Sequence, residues 1–288
     1  MQKATDVDQQ VELLAKQGLA FEDEAAAKQF LTKTTYYRFA TYSDVYRQDD
    51  KTFVSGATFE WVRRIYELDS ILRSLIWTAV GDFEIAFRSH FADTLALQEG
   101  PLAWADPGLF RNYDRHQRTL TSIDAEMSKS NDPTVIGYAD RNPGIDYPIW
   151  MVVNVASMGS VANLFGNIEQ PKLTAAISAP WQIAPIPFPT VVLMMSELRN
   201  LAAHHSQLWH AKLKTRGPRI SFPIWLSSAT TGVRNSSIFW ALIMLVHLHE
   251  SSFPTSSFRV RINKFLSENG AMWNGLGVPP DRDKYAAI

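Results

Sequence analysis

The sequence predicts an all-α protein, and three observations carry that expectation. Apolar residues recur at three- and four-residue steps over about forty residues beginning at Thr58. The same spacing resumes after Pro148 and again after Pro189. No alternation of apolar and polar side chains persists over five or more positions, as a half-buried strand requires. No internal repeat or low-complexity tract interrupts the pattern. A hydrophobic fraction of 46% over 288 residues gives enough apolar surface for a substantial core.

In chain order, Met1 to Gln10 is polar and lacks the basic and apolar regions of an export signal, so a cytoplasmic location is expected. Residues 6–40 alternate short helical patterns, with Gly18 as a cap. Residues 43–57 suit a short hairpin or loop as well as a helix. Together, residues 1–57 read as a small N-terminal helical lobe. Thr58 then caps a long helix whose stripe is Val62, Ile65, Leu68, Leu72, Leu75, Ile76, Ala79, Phe83, Phe87 and Phe91, with a kink expected at Gly81. Its polar face carries Arg63, Glu67, Arg73, Asp82, Glu84 and Arg88. Glu84 and Arg88 have the spacing of a surface ion pair.

Residues 99–148 contain repeated Gly and Pro breakers around one helix near 111–129, which makes them a loop-rich insertion. Residues 149–168 form a core helix broken or bent around Gly159. Pro180, Pro185, Pro187 and Pro189 make a stiff connector. Thr190 then opens a helix expected to reach Lys214, before Gly217-Pro218. Ile238 to Val246 is the most apolar run, far short of the roughly 20 residues that span a bilayer, and reads as a buried helix. The domain proper is assigned to 58–265 and a C-terminal tail to 266–288.

On a wheel of the 190–214 helix, Met194, Leu198, Leu201, Ala202, His205 and Trp209 share one stripe, which makes His205 a core histidine satisfied by hydrogen bonds. Outside the stripe lie Arg199, Asn200, His204 and Glu197, with Asn200 and His204 one turn apart. An arginine and a histidine are a chemically meaningful pair for phosphodiesters. Imidazole exchanges a proton near neutrality, and the guanidinium fork holds two phosphate oxygens while charge develops. With RNA, the 2′-hydroxyl supplies the nucleophile, so neither metal nor cofactor is required.

The spacing R-x4-H alone is common, but the string from Arg199 to Trp209, RNLAAHHSQLW, closely resembles the R-N-x-x-A-H-H-x-R-L-W-N signature of the abortive-infection Abi-like family, the AbiD and AbiF group of the HEPN superfamily. The resemblance extends through Leu13-Leu14 with Gly18-Leu19, Tyr36-Tyr37-Arg38 with Tyr42, and Tyr66-Glu67-Leu68-Asp69 with Leu72-Arg73. It continues through Phe83 to Arg88, Pro148 to Met151 and Met158-Gly159-Ser160.

It implies a HEPN-type helical bundle, ordinarily a homodimer, in which facing motifs form one composite ribonuclease site. Carried over by position, Arg199 and His204 would be the catalytic pair, with Asn200 helping to hold the site; His205 and Glu197, on the same predicted helix, are expected as further supporting residues. Two positions depart from the signature: Gln207 replaces arginine and His210 replaces asparagine. The family context implies phage defence by a growth-arresting toxin that is silent until infection, with an antitoxin protein or regulatory RNA as a further partner.

The charge distribution agrees with an RNA partner. The net charge is −1, but residues 199–264 hold nine basic side chains against Glu250 alone, a net of +8, which leaves −9 for the rest. Lys212, Lys214, Arg216 and Arg219 follow the motif directly and are candidate RNA contacts. With no cysteine, disulfides, thiolate metal sites and a cysteine nucleophile are excluded. Nucleotide-binding glycine loops, H-E-x-x-H and a serine elbow are missing, and alternate residues His247 and His249 diverge by about 200° on a helix, a poor metal site. Three readings follow: a metal-independent endoribonuclease, a non-catalytic RNA-binding module, and a protein that uses the fold only to dimerise.

Overall fold

The computed structural model describes residues 4–280 and 288. The described residues form fourteen α-helices and no strand, an all-α architecture as expected. In α1 (Val7–Lys16) the Asp6 side chain accepts from the Gln9 N–H while the Gln9 side chain accepts from the Asp6 N–H, a reciprocal cap. Gly18 follows at φ +91°, a left-handed value that favours glycine. Then come α2 (Glu24–Thr34), capped by Asp23, and α3 (Tyr36–Ser43). Residues 43–57 resolve into one 3-10 turn at Asp44–Tyr46 and an isolated bridge between Arg47 and Phe53.

The long helix α4 (Phe59–Glu99) has 41 residues and is capped as expected, the Thr58 hydroxyl accepting from the Trp61 N–H. It continues through Gly81 and ends before Gly100 at φ +101°. The insertion holds α5 (Tyr113–Met127) and also α6 (Pro133–Arg141), a helix the sequence reading lacks. Asp132-Pro133 reads as a breaker, yet proline costs nothing at the first helical position, and the Asp132 carboxylate caps the Thr134 N–H.

The expected break around Gly159 lies instead at Ala156-Ser157. It separates α7 (Ile149–Val155) from α8 (Met158–Phe165), because the Ser157 hydroxyl caps the Ser160 N–H. After α9 (Pro171–Ser178), α10 (Phe188–Ala203) begins two residues before Thr190. Pro187 is its cap and Pro189 sits in its first turn, where no N–H is needed. The remaining helices are α11 (Ile224–Thr230), α12 (Ile238–Ser252), α13 (Phe258–Glu268) and α14 (Trp273–Leu276). α13 crosses residue 265, and Met272 and Leu276 beyond it are buried.

α4 is the central column, touched by α3, α7, α8, α9, α10, α12 and α13. Phe83, Phe87 and Phe91, spaced one turn apart, meet Trp181 and Phe165, with ring centroids 5.7 Å apart for Phe83–Trp181 and 5.4 Å for Phe87–Phe165. Trp181 in turn stacks on Phe188 of α10 at 5.2 Å. Each such pair contributes about 0.5–1.5 kcal/mol beyond its buried area. The N-terminal helices join through Phe39, stacked 4.4 Å from Phe59 at the start of α4. Every residue of α12 from Ile238 to His249 is buried, which explains its unbroken apolar run. No helix among the described residues is long and apolar enough to cross a membrane.

Candidate functional site

The helix that carries the motif stops eleven residues before the expected Lys214. α10 ends at Ala203, and His204 is its C-cap. His205 adopts a left-handed φ of +52°, its N–H bonding to the Ala202 carbonyl at 3.2 Å while the Ser206 N–H bonds to the Leu201 carbonyl at 2.9 Å. These two bonds make a Schellman end with histidine at the position glycine usually takes. The wheel therefore holds only up to Ala202: Met194, Leu198 and Ala202 are buried, but His205 is exposed. It is not a core histidine, because the chain has left the helix before reaching it.

What stops the helix comes from distant parts of the chain. Arg38 donates to the His205 carbonyl at 2.8 Å, and Arg73 donates to the Ser206 carbonyl at 3.3 Å. Asp69, fully buried on α4, accepts from the Leu208 N–H at 3.2 Å and the Trp209 N–H at 2.9 Å. The same carboxylate accepts from the Tyr42 hydroxyl at 2.5 Å and pairs with Arg73. Arg73 is thus buried and not part of a solvated face. Burial and the adjacent carboxylate push the Tyr42 phenol far above its ordinary range, which keeps it a proton donor to Asp69.

Arg199, half-buried at the last turn of α10, donates to Glu84 of α4 at 3.3 Å and to the Asn200 side-chain oxygen at 3.3 Å. Its guanidinium lies 5.4 Å from the Trp77 ring. Glu84 also pairs with Arg88, and both side chains are only 12% exposed, so this is not the surface pair expected from spacing. Arg88 continues to the carbonyls of Val153 and Ala156 at the end of α7. A helix end that would otherwise leave bare carbonyls is thereby tied to the carboxylate holding Arg199.

His204 is exposed, and its imidazole has no hydrogen-bond partner among the described residues. It lines a cleft of about 270 Å³ with Tyr37, Arg38, His205 and Gln207. His205 lines this cleft and also a neighbouring one of about 450 Å³, formed with Ser70, Arg73, Ser74 and Trp77. No hydrogen bond joins Arg199 to His204 within the chain. Asn200 is exposed beside Arg199. Glu197 points elsewhere, accepting from the backbone N–H groups of Lys214 at 2.6 Å and Thr215 at 2.9 Å. It therefore secures the segment that carries Lys212, Lys214, Arg216 and Arg219, all four exposed and none paired with a carboxylate among the described residues.

The loop after the motif is seated on α14. The His210 N–H donates to the Gly275 carbonyl at 2.7 Å, and desolvation lowers the affinity of the His210 ring for its proton. A Cβ on Gly275 would lie 2.1 Å from the Trp209 indole nitrogen. Gly275→Ala is therefore expected to lower stability by about 1–3 kcal/mol in urea denaturation, as an overpacked core does. An unchanged midpoint would show that the loop is free to shift.

The sequence reading missed Glu84 and Asp69 as the anchors of this site, and Tyr37 as a neighbour of His204. One signal was available. Asp69 falls on the buried stripe of α4, between Ile65 and Leu72, where a carboxylate is stable only if it is paired.

No curated protein and no solved structure matches the chain. Residues 29–210, more than half of the sequence, match the family model described as Abi-like protein. The matched region takes in the Tyr42, Asp69 and Arg73 cluster, Glu84, and the whole of the Arg199 to Trp209 motif. The chain belongs to the Abi-like family.

Proposed function

We propose that this protein is a HEPN-type, metal-independent endoribonuclease whose site is composite, formed when two copies bring their Arg199 and His204 together. The observation that carries the reading is the way the motif is held. His204 is an unpartnered, exposed imidazole on a turn secured by Arg38, Arg73 and a buried Asp69. A surface histidine with no function needs no such support. Membership of the Abi-like family supports a role in abortive infection, a phage defence; in this reading the chain is an RNA-cutting toxin that stays silent until phage arrives.

In the reaction the 2′-hydroxyl attacks the adjacent phosphorus and the bond to the 5′-oxygen breaks. His204 takes the hydroxyl proton or protonates the leaving oxygen. The Arg199 guanidinium, oriented by Glu84, neutralises the charge that builds on the phosphate. Tyr37, 80% exposed at the cleft of His204, offers a ring on which an RNA base stacks. Lys212, Lys214, Arg216 and Arg219 supply strand contacts. Trp77 of α4, half exposed beside Arg199, offers an apolar contact for a second copy.

The partial commitment of Arg199 to Glu84 favours one alternative, a module that binds a regulatory RNA or antitoxin transcript without cutting it. The deciding assay incubates the purified chain with single-stranded RNA and with DNA of the same sequence in EDTA, and analyses the product ends. RNA products with 2′,3′-cyclic phosphate and 5′-hydroxyl ends, intact DNA and a dimer in sedimentation are expected. Products with 3′-hydroxyl ends would sink the mechanism. RNA bound equally by the parent and His204→Ala, and cut by neither, would establish the binding module.

A further inference from the structure

Away from the motif, α5 and α8 enclose a cleft of about 320 Å³ lined by Arg115, Arg118, Thr119, Ser122, Ser160 and Asn163. No carboxylate and no large apolar side chain lines it, which is unsuited to an apolar ligand and suited to an anion. Arg115 and Arg118 stand three residues apart on one face of α5, and Arg111 lies just before its N-cap, Asn112. None of the three arginines pairs with a carboxylate among the described residues. Arg111 is held by the Ile168 carbonyl at 3.4 Å and Arg115 by the Asn163 side-chain oxygen at 3.1 Å, whereas Arg118 is exposed with no partner.

Three like charges gathered without a counter-ion repel one another and weaken the fold unless an anion joins them. Burial, and then the positive charges of Arg111 and Arg118, reduce the hold of Arg115 on its proton. Two carboxylates of α5 stand near without pairing with the arginines: Asp114, one turn before Arg118, and Glu126, further along, which is occupied by the Ser160 hydroxyl at 3.1 Å and the Ser157 N–H at 2.9 Å. Glu126 fixes the α8 wall of the cleft.

We propose that Arg115 and Arg118 form a phosphate-binding site, separate from Arg199 and His204, that grips the oxygens of a phosphate group in the cleft between α5 and α8. The Asn163 side-chain oxygen at 3.1 Å and the Gly166 carbonyl at 3.5 Å hold the Arg115 fork, and its remaining N–H groups together with those of Arg118 take one anion. The phosphate belongs either to an RNA strand or to a small phosphate ester. The proposal holds whether or not the motif cuts RNA.

The test uses the full chain and two probes at fixed ionic strength, inorganic pyrophosphate followed by calorimetry and a fluorescein-labelled 12-nucleotide single-stranded RNA followed by anisotropy. Arg118→Ala removes an exposed, unpartnered side chain and leaves the fold intact. Lys129→Ala, just beyond the end of α5, is the control for loss of charge alone. Arg118→Ala is expected to weaken binding by roughly three- to tenfold, and for RNA to reduce the salt slope by about one ion, with Lys129→Ala unchanged. A loss confined to RNA identifies a strand as the ligand, and a loss confined to pyrophosphate identifies a small phosphate ester. Equal losses in both variants, or none with either probe, would overturn the site.

Discussion

Arg199→Ala and His204→Ala are each expected to slow RNA cleavage by at least about 100-fold, because one removes the group that neutralises the phosphate and the other the group that moves the proton. Both variants should melt within about 2 °C of the parent, which separates a chemical role from a structural one. The structure gives the reason. His204 is exposed and unpartnered, and removal of Arg199 leaves Glu84 still paired with Arg88, so no buried charge is orphaned. Arg199→Lys keeps the charge but loses the planar fork and the orientation against Glu84, and an intermediate rate is expected. Full activity in His204→Ala would remove the proposed mechanism altogether.

Asp69→Asn should destabilise the protein by about 3–5 kcal/mol in urea denaturation, the usual cost of leaving one member of a buried ion pair without its partner. Four donors converge on this carboxylate: the Tyr42 hydroxyl, the Arg73 guanidinium, and the N–H groups of Leu208 and Trp209. An amide offers one acceptor oxygen in place of two and turns its own N–H₂ against donors. Tyr42→Phe, which removes one donor to Asp69 and one acceptor of Arg73, should cost less, about 1–2 kcal/mol. The Asp69 variant should also lose RNA cleavage while still folded at low temperature, since the turn that presents His204 depends on that anchor. A loss of stability below about 1 kcal/mol would show that the cluster is dispensable.

Much of the fold is legible in the sequence because its determinants are local. The Thr58 cap and the stripe from Val62 to Phe91 define α4 within a few residues, and the apolar run after Ile238 defines a helix buried on all sides. The errors also have local causes. Pro133 and Pro189 read as breakers but occupy first turns, where a missing N–H is harmless, and Ser157, not Gly159, starts α8. For the motif, the resemblance around Arg199 and His204 pointed to a stretch that lies inside the region matched by the family model. The spacing argument, by contrast, extended a helix through it and buried His205 wrongly.

The sequence by itself determined an all-α chain, membership of the Abi-like family, and the stretch of α10 that carries the motif. Only the tertiary structure decided where α10 stops, which histidine faces solvent and what holds Arg199. Helix periodicity is set by neighbours three and four residues away. The groups that end this helix and orient its arginine reach it from 167 residues away at Arg38, 139 at Asp69 and 115 at Glu84.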